Sequence, residues 1–82
     1  MMNEQHEPTF NYTVDGERQS TSQHEMTPLR ILEVAGIDSK THYLIQIIGK
    51  EKESYKDNPN APIHMHENMK FISVATGPTP VS

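Results

Sequence analysis

His64 and His66 stand two residues apart, which on a β-strand puts both imidazoles on one face at a spacing able to grip a metal ion. Ile63 and Met65 take the opposite face by the same alternation, so the histidines point into solvent, and the chain has no cysteine to supply further ligands. No metal is expected there. Glu51 and Glu53, and Asp38 beside Lys40, read as solvated turns and edges, not as carboxylates paired for proton transfer. Neither a nucleophile with its base nor a glycine-rich phosphate loop stands out, so no catalysis and no cofactor are expected. The remaining candidate is Thr76-Gly77-Pro78 near the carboxyl end. Glycine has no Cβ to obstruct an approaching backbone, so Gly77 could enter a narrow enzyme channel; equally, a Gly-Pro pair can simply end a sheet and open a tail.

Several elements must carry these residues. Phe10, Tyr12 and Val14 alternate with polar residues as in a strand with one buried face, and Asp15-Gly16 follows as a two-residue hairpin signal. The polar arm Glu17 to Ser22 suits an exposed sheet edge. Thr27-Pro28 supplies an N-cap and a first-turn proline, after which Leu29, Ile31, Leu32, Val34 and Ala35 recur at helical spacing until Gly36. Arg30 and Glu33, at i and i+3, mark the helix's outer side. Thr41 to Ile48, aliphatic and β-branched, predicts the most buried strand, ending at the turn Gly49-Lys50. A brief strand over Lys52 to Tyr55 is expected next, and then a loop at Asp57-Asn58-Pro59-Asn60-Ala61-Pro62. Ile63 to His66 and Met69 to Ala75 are extended, with a turn at Glu67-Asn68. A short helix cannot bury its stripe without a partner layer, so this order predicts an α+β protein in which one helix packs across a mixed four- to five-stranded sheet, the β-grasp architecture.

Composition narrows the functions open to such a domain. The 82 residues carry 7 Lys plus Arg against 11 Asp plus Glu, a net charge of −4, and only 33% are hydrophobic. An acidic balance lacks the clustered cations that phosphate backbones require, so nucleic acid is not an expected partner. The longest apolar stretch, Tyr43 to Ile48, falls far short of the ~20 residues that span a bilayer. No basic start or apolar run of a signal peptide opens the chain, and without cysteine a reducing cytoplasm is compatible. Residues 1–9 read as a flexible leader, 10–76 as the folded domain, and 77–82, with one Gly and two Pro, as a flexible tail.

The segments FNYTVDGE, TPLRILEVAGID, THYLIQIIGK and IHMHENMKFISVATG, in this order and spacing, resemble the bacterial multiubiquitin-type ubiquitin-like domains. The likeness runs from Phe10 to about Val74 and includes a helix ending in an alanine-glycine pair and a closing segment built around Phe71. It implies a protein modifier of bacterial ubiquitination-like operons, attached to targets by an activating enzyme and a conjugating enzyme, released by a deubiquitinase-like peptidase, and serving in defence against phage. Under that resemblance Gly77 is the residue to be trimmed and activated, with Thr76 and Pro78 flanking the cut. Two departures stand out: there is one copy only, and in place of a terminal diglycine the chain has Thr76-Gly77 followed by Pro78 to Ser82. Lys40, Lys50, Lys52, Lys56 and Lys70 could accept a second modifier, or serve simply as surface charge.

A modifier must also be read, and in ubiquitin-like proteins the outer sheet face commonly does this. If Tyr43, Ile45 and Ile47 face the helix, then Leu44 and Ile48 face out, and if Phe71 faces in, Ile72 and Val74 face out beside them. Leu44, Ile48, Ile72 and Val74 are therefore the expected partner-binding patch, the alternative being the opposite register, which would bury them. Besides the conjugated modifier, the same fold could serve as a non-conjugated interaction module that binds and regulates a partner. A sulfur carrier is a third option, which the missing diglycine disfavours.

Overall fold

The computed structural model describes residues 9–76; the leader up to Pro8 and the tail 77–82, including Gly77 and Pro78, lie outside the described residues. The elements in order are β1 (Phe10–Val14), β2 (Glu17–Thr21), β3 (Glu25–Met26), α1 (Pro28–Val34), β4 (His42–Ile48), β5 (Glu51–Ser54), β6 (Ile63–His64) and β7 (Met69–Ala75). β2-β1-β7-β4-β5 form one mixed sheet in which only β1 and β7 run parallel, and β3 pairs with β6 in a separate two-stranded ladder. With one helix across it, this is a small α+β fold of β-grasp type.

Local chemistry accounts for the turns. Asp15 and Gly16 both take positive φ (55° and 83°), the backbone of the two-residue turn whose twist matches the flanking strands. α1 starts where the Thr27 hydroxyl accepts from the Arg30 N–H (3.1 Å), with Pro28 in the first turn where no donor is missed. It ends when Gly36 adopts φ 80°, letting Gly36 N–H reach the Glu33 carbonyl (3.0 Å) and Ile37 N–H the Leu32 carbonyl (2.9 Å). Pro28, Ile31 and Leu32 are the helical residues that this short segment buries. Ile31 and Leu32 meet Tyr12, Val14, Met26, Leu44, Ile63, Met65, Met69 and Phe71 in one core, where the Tyr12 and Phe71 rings stand edge-to-face at 5.9 Å.

Three findings refine the sequence expectations. β4 is buried as expected, with one exposed residue in seven, yet it lies one place from the edge beside the wholly exposed β5, and β7 takes the centre of the sheet. β3 carries no strand signal of its own, and its two residues are extended because the loop into the helix passes beside β6. The third is a correction, of the parity of β4: Leu44 is 0% exposed and Gln46 is buried, while Tyr43, Ile45 and Ile47 are half-buried on the other side. Apolar residues occupy both parities of this strand, so alternation could not choose. Pairing does: Phe71 fills the core and stands directly opposite Gln46, while Leu44 stands opposite the small Ser73, and opposed residues share a face.

Candidate functional site

The outer sheet face is built by β4 and β7. Tyr43 lies opposite Val74 and Ile45 opposite Ile72, and Ile47 extends the apolar row to the start of β7, where its partner is Lys70. These five apolar side chains are all partly exposed. Of the four expected patch residues, Ile72 and Val74 are therefore on this face, Leu44 is in the core, and Ile48 sits 51% exposed at the strand end, on the helix-side parity but next to the Gly49-Lys50 turn. Tyr43, Ile45 and Ile47 complete the face, and their one detectable signal is indirect. Once Phe71 is placed inward, strand pairing alone settles β4.

Among the described residues no other element covers that face, because α1 packs on the opposite side. Lys56 holds its ammonium 5.7 Å from the centre of the Tyr43 ring, a cation over a π-face at one end of the apolar strip.

The second candidate is the carboxyl-side exit. β1 stops pairing at Val14 opposite Phe71, but β7 runs on to Ala75, so from Ser73 onward it has a strand neighbour on the β4 side only. Asp15 occupies the vacated flank. Its backbone N–H donates to the Phe71 carbonyl (3.0 Å), and its carboxylate accepts from Ser73 N–H (2.8 Å) and from the Ser73 hydroxyl (2.6 Å). Charge-assisted bonds of this length pin the strand just before the exit. On the β4 side Thr76 N–H donates to the Thr41 carbonyl (2.8 Å), with the Thr76 hydroxyl on the same acceptor at 3.3 Å. Thr76 is thus the last residue tied to the sheet among those described, exposed and directly preceding Gly77.

At the other end of β7, Glu67 accepts from the Asn11 side chain (2.7 Å) and from the Asn11 backbone (3.1 Å). The side-chain bond first and the backbone bond second hold the Glu67 carboxyl below its ordinary value. Burial raises the Tyr12 phenol, whose oxygen has no hydrogen-bond partner among the described residues. Tyr55 is raised by burial and then by the Glu53 carboxylate, its hydroxyl lying a long 3.5 Å from Gln46 Oε1.

Comparison with protein-family models, curated proteins and solved structures found no match. The residues themselves must therefore carry any functional reading. His64 and His66 both project outward, and His64 Nδ1 lies 3.9 Å from Glu25 Oε2; among the described residues no three histidine or carboxylate side chains converge as a metal site would require. Nor is any helix among them long and apolar enough to cross a membrane.

Proposed function

We propose that this chain is a ubiquitin-like protein modifier. A deubiquitinase-like peptidase trims it at or beside Gly77, an activating enzyme adenylates the new carboxylate, and a conjugating enzyme passes it to a target, leaving an isopeptide bond where the acceptor is lysine. The chain is the substrate of this pathway and catalyses no step. Its setting is the bacterial cytoplasm, in an operon directed against phage. The resemblance of the segments around Val14, Gly36, Ile48 and Phe71 supports the reading, as does the β-grasp-type fold. The observation that carries it is the end of β7: a central strand that is pinned by Asp15 and Thr41 and hands an exposed Thr76 on to Gly77. A carboxylate that must thread a channel needs such an exit, rigid up to the last residue and free of side-chain bulk beyond it.

The test is the intact mass of the chain co-expressed with the peptidase, activating and conjugating enzymes of its locus, beside the chain alone. Loss of the mass of Pro78 to Ser82, with heavier adducts that vanish in Gly77→Phe, is the expected result. A full-length mass without adducts, in the presence of active enzymes, would favour the second reading, a non-conjugated module that binds and regulates a partner. The outer face, which no described element covers, favours that reading because it can bind without any cleavage.

A further inference from the structure

Among the described residues the sheet ends at β2 on one side and at β5 on the other, and hydrogen bonds settle which backbone groups each edge leaves open. Asp15 N–H donates to the Phe71 carbonyl and Asn68 N–H to the Asn11 carbonyl, so odd-numbered residues along β1 turn toward β7. Phe10, Tyr12 and Val14 therefore turn toward β2 and bond to their register partners Thr21, Gln19 and Glu17. Arg18 and Ser20 point their N–H and C=O groups the other way, to an edge that no described strand pairs. At the opposite edge Tyr55 N–H donates to the Leu44 carbonyl, so Glu51 and Glu53 turn toward β4, and Lys52 and Ser54 turn outward.

An open edge is a template for a second copy unless its sequence forbids the pairing. Two copies related by a twofold axis pair their edges antiparallel, and only residues that face the edge can exchange bonds. On β5 the registers that meet this condition all oppose like charges: Lys52 to Lys52, Glu53 to Glu53, or Lys52 to Lys56. β2 carries no such bar. Pairing centred on Gln19 sets Arg18 against Ser20 and Glu17 against Thr21, uses the whole strand, and opposes no like charges. Centring on Arg18 would press two guanidiniums together, and centring on Ser20 would carry the ladder past the strand's end at Thr21.

The helix side of β2 supplies a matching charge. Thr21 lines a groove of about 620 Å³ together with Met26, Arg30 and Val34. Val34 is 45% exposed, and the Arg30 guanidinium meets Glu33 only at 3.7 Å in the open, so it is free to turn to a better partner. Pairing centred on Gln19 brings Glu17 of the second copy opposite Thr21, at the rim of the groove that Arg30 lines, and symmetry repeats the arrangement at the other end. We infer that β2 pairs with β2 of a second copy of this chain, joining the two sheets into one. A single strand pair with its flanking grooves falls below the ~1,200 Å² of stable interfaces, so the dimer is weak, with a Kd on the order of 0.1 mM. Pairing through β2 requires no cleavage at Gly77, so it stands or falls apart from the modifier reading.

The experiment follows the purified full chain, labelled with nitrogen-15 and without any enzyme, by sedimentation equilibrium and amide spectra from ~10 μM to ~1 mM, a range that brackets the expected Kd. Expected is a monomer–dimer equilibrium, with concentration-dependent shifts centred on Arg18 and Ser20. Ser20 is exposed and its N–H is not spent on β1, so Ser20→Pro should keep the fold and abolish the dimer. Charge at the same position tests the register without a proline. Ser20→Glu places a carboxylate opposite Arg18 and should tighten the dimer about tenfold, and Ser20→Arg should weaken it about tenfold. An unchanged circular dichroism spectrum checks the fold of each variant. A monomer throughout the range, a dimer that survives Ser20→Pro, shifts centred on β5 or the outer face, or weakening by Ser20→Glu would each overturn the inference. So would a chain that stays monomeric while a short valine-threonine peptide shifts the Arg18 and Ser20 amides, which would assign the edge to a foreign strand.

Discussion

Replacing Leu44 and Ile45 separately by alanine tests the parity of β4, on which both the core and the outer face depend. Leu44 is 0% exposed within the cluster of Tyr12, Ile31, Leu32 and Phe71, so Leu44→Ala removes three buried carbons and leaves a cavity, at ~2–5 kcal/mol. Ile45 is partly exposed on the far face, opposite Ile72 and Ser54, and its truncation forfeits only cross-strand contact and strand propensity, ~1 kcal/mol or less. At ~0.05–0.15 kcal/mol per residue, a domain covering residues 9–76 holds ~3–10 kcal/mol in all, so Leu44→Ala takes a large share of it. Urea unfolding followed by far-ultraviolet circular dichroism reads the difference. With a slope near ~1 kcal/mol per molar, the midpoint falls by ~2–5 M for Leu44→Ala and by ~1 M or less for Ile45→Ala. Equal costs for the two variants, or a larger cost for Ile45→Ala, would refute the register and with it the outward face.

Thr27→Ala removes the hydroxyl that caps α1 and should cost ~1 kcal/mol by the same urea assay, with Thr27→Ser restoring most of it. Tyr12→Phe deletes a buried hydroxyl that no described group satisfies, and should leave stability unchanged or raise it by up to ~1 kcal/mol in calorimetry. Glu67 has a folded-state pKa below its unfolded one, so its bonds to Asn11 stabilise the fold above the unfolded value and lose that effect as pH falls through the folded value. The melting temperature of Glu67→Gln should therefore fall less steeply on acidification than that of the wild type; parallel curves would show that the Asn11 bonds contribute nothing.

Most of the scaffold was legible because its signals are local. Asp15-Gly16 announces a turn that only residues tolerant of positive φ can make, and Thr27-Pro28 with Gly36 brackets the helix with a donor-satisfying start and a left-handed stop. The expected neighbours β4 and β7 are indeed paired. What stayed hidden depends on distant partners. The parity of β4 is decided by Phe71 across the sheet, and β3 exists only through β6. Asp15 reads as a turn former, yet its carboxylate also holds Ser73, a contact spanning 58 residues that no window of sequence reveals. Gly77 and Pro78, on which the proposed chemistry falls, lie outside the described residues.

The parallel contact of β1 with β7 joins Tyr12 to Met69 and Val14 to Phe71, so the first strand waits for the last. During synthesis the chain emerges amino end first, and β4, with Tyr43-Leu44-Ile45 and Ile47-Ile48, leaves the ribosome before the strand that pairs with it. Long-range pairing of this kind is slow compared with helix formation, and an unpaired aliphatic strand is a template for the wrong neighbour. Closure therefore comes only once β7 has emerged. Truncations that end before Phe71 should aggregate instead of folding partway, and a nascent chain would not present an ordered Thr76 until the whole domain had formed.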